Sequence, residues 1–246
     1  MTKTPRDPTP TCSVIIPARD EECHLPACLR SLRMAQELAG IALEIVVVLN
    51  RCTDATEAIA LANGCITVES QAKNLSTIRN TGVRRSTGDY IVTVDADSTV
   101  SPNMFVEILR TLNAGGCVGG GVPILPDRIS LGIFVTGLML LPIVLREGIS
   151  AGLFFTTREF FEAIGGFDEQ VLSAEDIDFA KRLRAFGKTR NLRFRTLFQT
   201  FIMTSCRKFD RFGDWYFVRN QRLFRTLLGG KDQQAANAVW YDFPRN

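Results

Sequence analysis

The sequence lacks the patterns that mark several common classes of enzyme. It contains a single histidine, His24, and its seven cysteines include no CxxC pair, which argues against a zinc site. No GxGxxG motif follows a strand-like run, as a dinucleotide-dependent dehydrogenase would require. The first strand-like run is followed by Pro17-Ala18-Arg19-Asp20 instead of a glycine-rich phosphate loop, which weakens the case for a nucleotidyltransferase without removing that alternative.

The sequence also has little that indicates export. Lys3, Arg6 and Asp7 lie among three prolines in the first ten residues, and no apolar stretch follows these charges, so we do not expect a secretory signal. We expect residues 1–11 to form a short flexible tail. Several cysteines lie inside apolar runs, as small buried side chains of a reducing compartment do. These features predict a cytoplasmic protein.

One apolar run has some membrane character. Residues 129–145 are seventeen uncharged residues that include Gly132, Gly137 and Pro142. A membrane span needs about 20 apolar residues, so the run predicts a buried helix. The alternative is an interfacial helix facing lipid, which would place the protein peripherally at the inner face of a membrane.

The charge is unevenly distributed along the chain. The net charge is +3, but residues 181–225 hold thirteen Lys or Arg and only two acids, Asp210 and Asp214. Such a segment favours polyanions such as pyrophosphate or lipid headgroups, unless it is only a solvated basic face. We expect no nucleic-acid partner, because the region has no recognisable module with interleaved aromatic residues.

Strand-like and helix-like runs alternate through the first half of the chain. With 246 residues, of which 46% are hydrophobic and 22% charged, the chain is expected to form one elaborated globular domain. The alternation predicts an α/β fold with a parallel sheet. The predicted strands are 12–16, 41–49, 66–69 and 90–94, and the predicted helices span about 25–38, 54–63, 77–85 and 102–114.

Polar residues follow three of these strands, where ligands bind in open parallel sheets. Asp95 and Asp97 flank one residue, so in extended backbone their carboxylates point the same way and repel. A divalent cation such as Mg²⁺ or Mn²⁺ relieves this repulsion, since it prefers oxygen ligands. The alternative is an ordinary polar turn.

Six segments in order resemble glycosyltransferase family 2. They are residues 13–21, 50–56, 73–82, 88–97, 165–169 and 175–178. The resemblance implies a GT-A fold, a Rossmann-like, mostly parallel central sheet with helices on both faces and a smaller acceptor-side region. It divides the chain into a nucleotide-sugar-binding half at 12–125, an acceptor-binding and catalytic half at 126–215 and a C-terminal extension at 216–246, all within one integrated domain.

The resemblance also implies an activity. It implies an inverting, metal-dependent hexosyl transfer from a nucleotide-diphospho-sugar, with a UDP-sugar as the default donor, to an unidentified hydroxyl of a saccharide or a lipid-linked acceptor. Asp176 matches the general base, Asp97 the ligand of Mn²⁺ or Mg²⁺, and Asp95 the nucleoside contact. The residues expected to bind the donor are Pro17, Ala18, Arg19, Glu21, Asn50, Asp54, Lys73, Arg79, Asp95, Ala96, Gly166, Phe167, Asp168 and Glu175.

The chain departs from the family pattern at two points. Asn50 stands where many members carry an acidic residue, which leaves the identity of the base open. No second histidine is available as an extra metal ligand, so metal binding would depend on Asp97 and the diphosphate. Arg207 and Lys208 are candidates for a phosphate clamp, Arg79 has the alternative of a surface arginine, and Asp176 that of a helix N-terminal acid. A donor-binding module without catalysis is the remaining alternative.

Overall fold

The computed structural model describes residues 12–147, 152–229 and 232, so the predicted tail at 1–11 lies outside the described residues. The strands are β1 (Cys12–Ala18), β2 (Leu43–Leu49), β3 (Ile66–Glu69), β4 (Tyr90–Val94), β5 (Ser98–Val100), β6 (Cys117–Gly121), β7 (Ile124–Pro126), β8 (Leu153–Thr157), β9 (Arg193–Thr196) and β10 (Ile202–Thr204). The helices are α1 (Leu25–Ala39), α2 (Thr56–Ala62), α3 (Leu75–Arg85), α4 (Met104–Asn113), α5 (Leu131–Glu147), α6 (Arg158–Ala163), α7 (Glu175–Thr189), α8 (Arg207–Phe212), α9 (Tyr216–Arg219) and α10 (Gln221–Leu228).

The main sheet has the order β3-β2-β1-β4-β8-β6-β9. The first four strands in this order run parallel, β8 is antiparallel to both of its neighbours, and β6 pairs in parallel with β9. The predicted α/β fold with a mostly parallel sheet is therefore confirmed. Strand β4 lies between β1 and β8, which places the residues after it near the centre of the sheet.

Side chains of β1 alternate between two hydrophobic clusters, one on each face of the sheet. Val14 and Ile16 pack with α1 and α4 on one face, and Ile15 packs with α3 and α7 on the other. This period of two is what a strand buried on both faces requires. Burying one such aliphatic side chain stabilises the fold by about 1.5–3 kcal/mol.

A second sheet, with the order β5-β10-β7, brings the later part of the chain to the end of β4. The backbone N–H of Ser205 donates to the carbonyl of Asp97 at 3.1 Å, and the hydroxyls of Ser98 and Thr204 lie 2.8 Å apart. Residues after β10 are thereby held beside the Asp95–Asp97 segment, although more than a hundred positions separate them in sequence.

Strand β1 continues two residues beyond its predicted end and includes Pro17. The carbonyl of Ala18 accepts from Asn50 on the β2 side, so the adjacent Pro17 faces β4. Pairing between β1 and β4 covers only Cys12 to Ile15, so no hydrogen bond is lost to the missing N–H of the proline.

Two other expectations are wrong. The Asp95–Asp97 segment is a tight turn, closed by the N–H of Ser98 donating to Asp95 O at 3.0 Å, and is not extended backbone. Helix α5 is not buried all round, because Leu131 and Phe134 are exposed. Among the described residues, none of the helices has the length and apolar character needed to cross a bilayer.

Candidate active site

The ends of β1, β2 and β4 meet at one edge of the main sheet, because these neighbouring strands run in the same direction. The predicted donor-binding loops begin there. Two groups of charged side chains at this edge dominate the site: the Arg79 cluster, defined as Arg79, Asp95, Glu175 and Asp176, and the Arg207 cluster, defined as Arg207, Glu21 and Asp97.

The Arg79 cluster joins the end of β4 to the start of α7. Arg79 Nη2 lies 3.0 Å from Asp95 Oδ1, and its Nη1 lies 2.7 Å from Glu175 Oε1. Only 4% of the Arg79 side chain is exposed, so the alternative of a surface arginine is wrong. Burial by itself would lower the pKa of Arg79, but Asp95 and Glu175 outweigh that effect and raise it.

Local contacts fix the position of Arg79. Helix α3 is capped by Asn74, whose Oδ1 accepts from the N–H of Thr77 at 3.1 Å. The guanidinium carbon of Arg79 lies 5.3 Å from the centroid of the Phe167 ring, which in turn stacks on Phe179 with 4.2 Å between centroids. Arg79 is therefore held by a ring on one side and by carboxylates at its tip.

Phe167 is positioned by the Gly165-Gly166 turn, in which both glycines have positive φ, 76° and 69°. A Cβ at Gly166 would lie 2.7 Å from Asn80 Oδ1, so the close approach requires glycine. The Asn80 amide donates to Phe167 O at 2.9 Å and accepts from Phe167 N at 3.0 Å. Asn80 was not singled out from the sequence, although it lies one residue after Arg79 in the same motif.

Asp176 lies in the first turn of α7, where a helix N-terminal acid would also lie, and is half-buried. Desolvation of this carboxyl and the negative charge of Glu175 raise the pKa of Asp176 to about 7, against the opposing effect of Arg79. A carboxyl group with a pKa near neutrality can accept and release a proton at physiological pH.

The Arg207 cluster was not predicted as a unit. Arg207, the first residue of α8, contacts both carboxylate oxygens of the buried Glu21 at 2.7 and 2.6 Å. Its Nη2 also lies 3.0 Å from Asp97 Oδ2. The sequence singled out each of the three residues, Arg207 as a candidate phosphate clamp, but did not indicate that they contact one another. The contact depends on the second sheet holding Ser205 against Asp97.

The loops after β1 and β2 are connected by hydrogen bonds. Asp54 Oδ2 accepts from the N–H of Glu22 at 2.9 Å, and the hydroxyl of Thr56 accepts from the N–H of Glu21 at 2.7 Å. Asp20 Oδ1 in turn accepts from the N–H of Thr53 at 2.7 Å. Asp54 Oδ1 also accepts from the N–H of Thr56, the first residue of α2, at 2.9 Å.

The remaining predicted donor residues lie around this edge with different partners. Asn50 donates to the carbonyls of Ser70 and Ala72, both at 2.8 Å, which supports the segment that leads to Lys73. Ala96 is buried in the core. Asp168 is half-buried in the loop after Gly166 and accepts from the N–H of Gln170 at 2.9 Å, and Arg19 is half-buried after β1.

The charged side chains at the end of β4 fit a divalent cation with oxygen ligands. Asp95 and Asp97 diverge into separate ion pairs, so the chemistry favours one carboxylate, Asp97, instead of a matched pair. Mg²⁺ and Mn²⁺ are often held by one or two carboxylates together with substrate phosphates, and Asp97 offers one such carboxylate. Arg207 contacts the same carboxylate, and a bound cation would share Asp97 with it.

The sequence and fold have clear relatives. Residues 13–130 match the sequence model of Glycosyl transferase family 2. The chain is similar to the low-salt glycan biosynthesis hexosyltransferase Agl6 of Haloferax volcanii, with 33% identity over 109 residues, which is 44% of this chain and 26% of that protein. The aligned regions span about a quarter of the length of the curated relatives that the chain matches.

Solved structures resemble the chain over almost all its length. Mannosyltransferase PcManGT from Pyrobaculum calidifontis, solved with GDP-Man and Mn²⁺, superposes with a TM-score of 0.63 at 18% identity, covering 94% of this chain and 74% of that one. Glucosyl-3-phosphoglycerate synthase from Mycobacterium tuberculosis, solved with Mn²⁺, UDP and glucosyl-3-phosphoglycerate, gives 0.58 at 19% identity over 91% of this chain and 81% of that one.

The sequence match covers the loops of the donor-side edge, and the structural likeness extends across both sheets. Residues 13–130 form a glycosyl transferase family 2 region, and the fold of the chain is GT-A.

Proposed function

We propose that the protein is an inverting glycosyltransferase that moves a sugar from a nucleotide-diphospho-sugar to an acceptor hydroxyl. One observation carries the proposal. The guanidinium of Arg79 is bound to Asp95 at the donor edge and to Glu175 beside Asp176, so it fixes the proposed base relative to the nucleotide. A transferase of this kind needs that relation, because the acceptor oxygen must lie between its base and the anomeric carbon.

The proton transfer is assigned to Asp176. Its carboxylate takes the proton of the acceptor hydroxyl as that oxygen forms a bond to C1 of the sugar, and the bond from C1 to the diphosphate oxygen breaks. A single displacement of this kind inverts the anomeric centre. With a pKa of about 7, Asp176 is a stronger base than an ordinary carboxylate and is still substantially ionised at neutral pH.

Binding of the donor is assigned to the two clusters and the loops that support them. Asp95 is assigned to the nucleoside, and Arg207, which lies beside Asp97, is assigned to the diphosphate. A divalent cation held by Asp97 would offset the charge that develops on the departing nucleoside diphosphate. The proposed default donor is a UDP-sugar. Solved relatives contain UDP or GDP-Man, so the base is a matter for the experiment below.

A thermal-shift screen of nucleotide-sugars with and without Mn²⁺ tests the donor assignment. The matching donor is expected to raise the melting temperature, because a ligand bound only to the native state stabilises it. In Asp97→Ala, the increase that depends on Mn²⁺ should disappear. The matched control is Asp89→Ala, which removes an exposed carboxylate just before the opposite end of β4 and should leave the shift unchanged.

Turnover tests the chemistry. Incubation with the matching donor should release free sugar slowly even without an acceptor, and Asp176→Asn should stop this release while donor binding persists. Binding of donor with no hydrolysis or transfer by the wild-type protein would point instead to a binding module. Retention of the donor's anomeric configuration in the transferred sugar would contradict the single displacement.

A further inference from the structure

Helix α5 presents an apolar stripe to solvent. The α5 stripe consists of Leu131, Phe134, Leu138 and Leu141, whose side chains are 68%, 58%, 48% and 44% exposed. Their spacing of three, four and three residues places them on one face of the helix, over a length of about 15 Å. A row of large apolar side chains on a surface marks an interaction site more often than a single exposed leucine does.

The orientation of α5 is fixed by its other face. Ile133 and Thr136 are 7% and 4% exposed. Gly132 packs against the backbone of Asp214. A Cβ at Gly132 would lie 2.5 Å from the carbonyl oxygen of Asp214, so only glycine allows this approach. The helix therefore cannot turn the α5 stripe inward without losing this packing.

Basic residues lie on the segment that packs against α5. Helix α5 contacts α9, and the segment from α8 to α10 carries Arg211, Arg219 and Arg222 at exposed positions. The two acids of this basic region, Asp210 and Asp214, are both bound by Arg128, at 2.5 and 2.7 Å. The segment packed against α5 therefore carries an excess of positive charge.

The exposed apolar stripe and the positive charge of the neighbouring segment together indicate what kind of partner covers this surface. Two copies of the chain joined through the α5 stripe would bring two basic segments together, which is electrostatically unfavourable. A bilayer with anionic lipids satisfies both features, because apolar side chains enter the boundary of the acyl chains while arginines contact the headgroups.

We propose that the α5 stripe and the α8–α10 segment dock the protein on the surface of a membrane that contains anionic phospholipids. The helix lies on the bilayer and does not span it. This inference goes beyond the proposed transfer reaction and does not depend on it. Because Arg207 begins α8 and contacts Asp97, the docking segment starts at the donor site.

Vesicle flotation tests the proposal directly. Full-length protein is mixed with vesicles of phosphatidylcholine alone or with 30% phosphatidylglycerol added, and the floated fraction is measured at low and high salt. We expect binding to the anionic vesicles, weakened by salt. Phe134→Glu/Leu138→Glu should lower the partition coefficient at least about tenfold, and Arg219→Glu/Arg222→Glu should lower it about tenfold or more.

Matched controls are available on another helix. Leu38→Glu changes a leucine of α1 that is 60% exposed, and Arg30→Glu reverses an exposed charge on the same helix, so both should float like the wild type. Thermal melts check that each variant is folded. The proposal is overturned if the wild type fails to float with anionic vesicles or if the control variants lose binding equally. Sedimentation showing a dimer that Phe134→Glu/Leu138→Glu abolishes, without flotation, would also overturn it and assign the stripe to a second copy.

Discussion

The two arginines of the candidate site differ in how firmly the surrounding structure anchors them. Arg79 belongs to an eleven-residue helix packed on the main sheet, is 4% exposed and lies against Phe167. Arg207 begins a six-residue helix, none of whose residues is fully buried, and its side chain is 24% exposed. Each arginine binds two acidic side chains of the site, but only Arg207 lies in a weakly anchored element. The comparison indicates that the Arg79 cluster is a fixed frame, whereas the Arg207 cluster lies in a less firmly packed element, where we propose that a cation and a diphosphate bind.

The largest effect is expected at Asp176, which Arg79 helps to position. Asp176→Asn keeps the shape of the side chain but cannot accept the acceptor's proton. We expect the transfer rate to fall about a thousandfold, within the range typical for a general base, while donor affinity changes little. Steady-state kinetics and donor titration measure the two quantities. An unchanged rate would remove Asp176 from the proposed mechanism.

The next prediction tests how much the Arg79 cluster contributes to the stability of the fold. Arg79→Ala leaves Asp95 and Glu175 without their shared partner in a low-dielectric site. We expect the free energy of unfolding in urea to fall by about 3–5 kcal/mol. The control is Arg84→Ala on the same helix, whose side chain is 63% exposed and which should change stability by less than about 0.5 kcal/mol. A similar small loss in both variants would mean that Arg79 is not part of a fixed frame.

Arg207→Ala should affect ligand binding as well as folding, because it removes the bidentate partner of the buried Glu21. Removing a charged donor from the proposed diphosphate site should weaken nucleoside diphosphate binding about tenfold, the equivalent of one charge-assisted hydrogen bond. In the absence of nucleotide, Mn²⁺ should bind more tightly, because the guanidinium no longer competes for Asp97. Calorimetry with each ligand alone measures both constants. Arg211→Ala, on the same helix, is the control and should leave both unchanged.

The remaining prediction concerns pH. The pKa of Asp176 is raised to about 7 in the native protein, so the native state binds its proton more tightly than the unfolded state does. The stability that this proton contributes is fully present below about pH 4 and is lost as pH rises through 7. Asp176→Asn should therefore be more stable than the wild type at pH 8 and about equally stable at pH 4. Urea denaturation at both values checks the sign, and wild-type transfer should increase over the same range.

The alternation of apolar runs predicted the first four strands to within a few residues, because β1, β2 and β4 are mostly apolar and mostly buried. The antiparallel β8 was not predicted. Its pairing partners, β4 and β6, lie far away in sequence, and local pattern carries no information on direction. The apolar run at 129–145 predicted a helix correctly, but composition could not reveal which face would stay exposed.

The sequence by itself indicated the family through the resemblance of its motifs, and it predicted the strand that ends just before Asp95 from a local apolar run. Tertiary structure decided which charges meet. Arg79 and Glu175 are 96 residues apart, and Arg207 and Glu21 are 186 apart. These pairs form only after the sheets assemble, because an ion pair requires a few ångströms of separation that chain connectivity does not provide. The Asp-Ala-Asp tripeptide shows the same division: its position followed from the sequence, and its two separate partners from the fold.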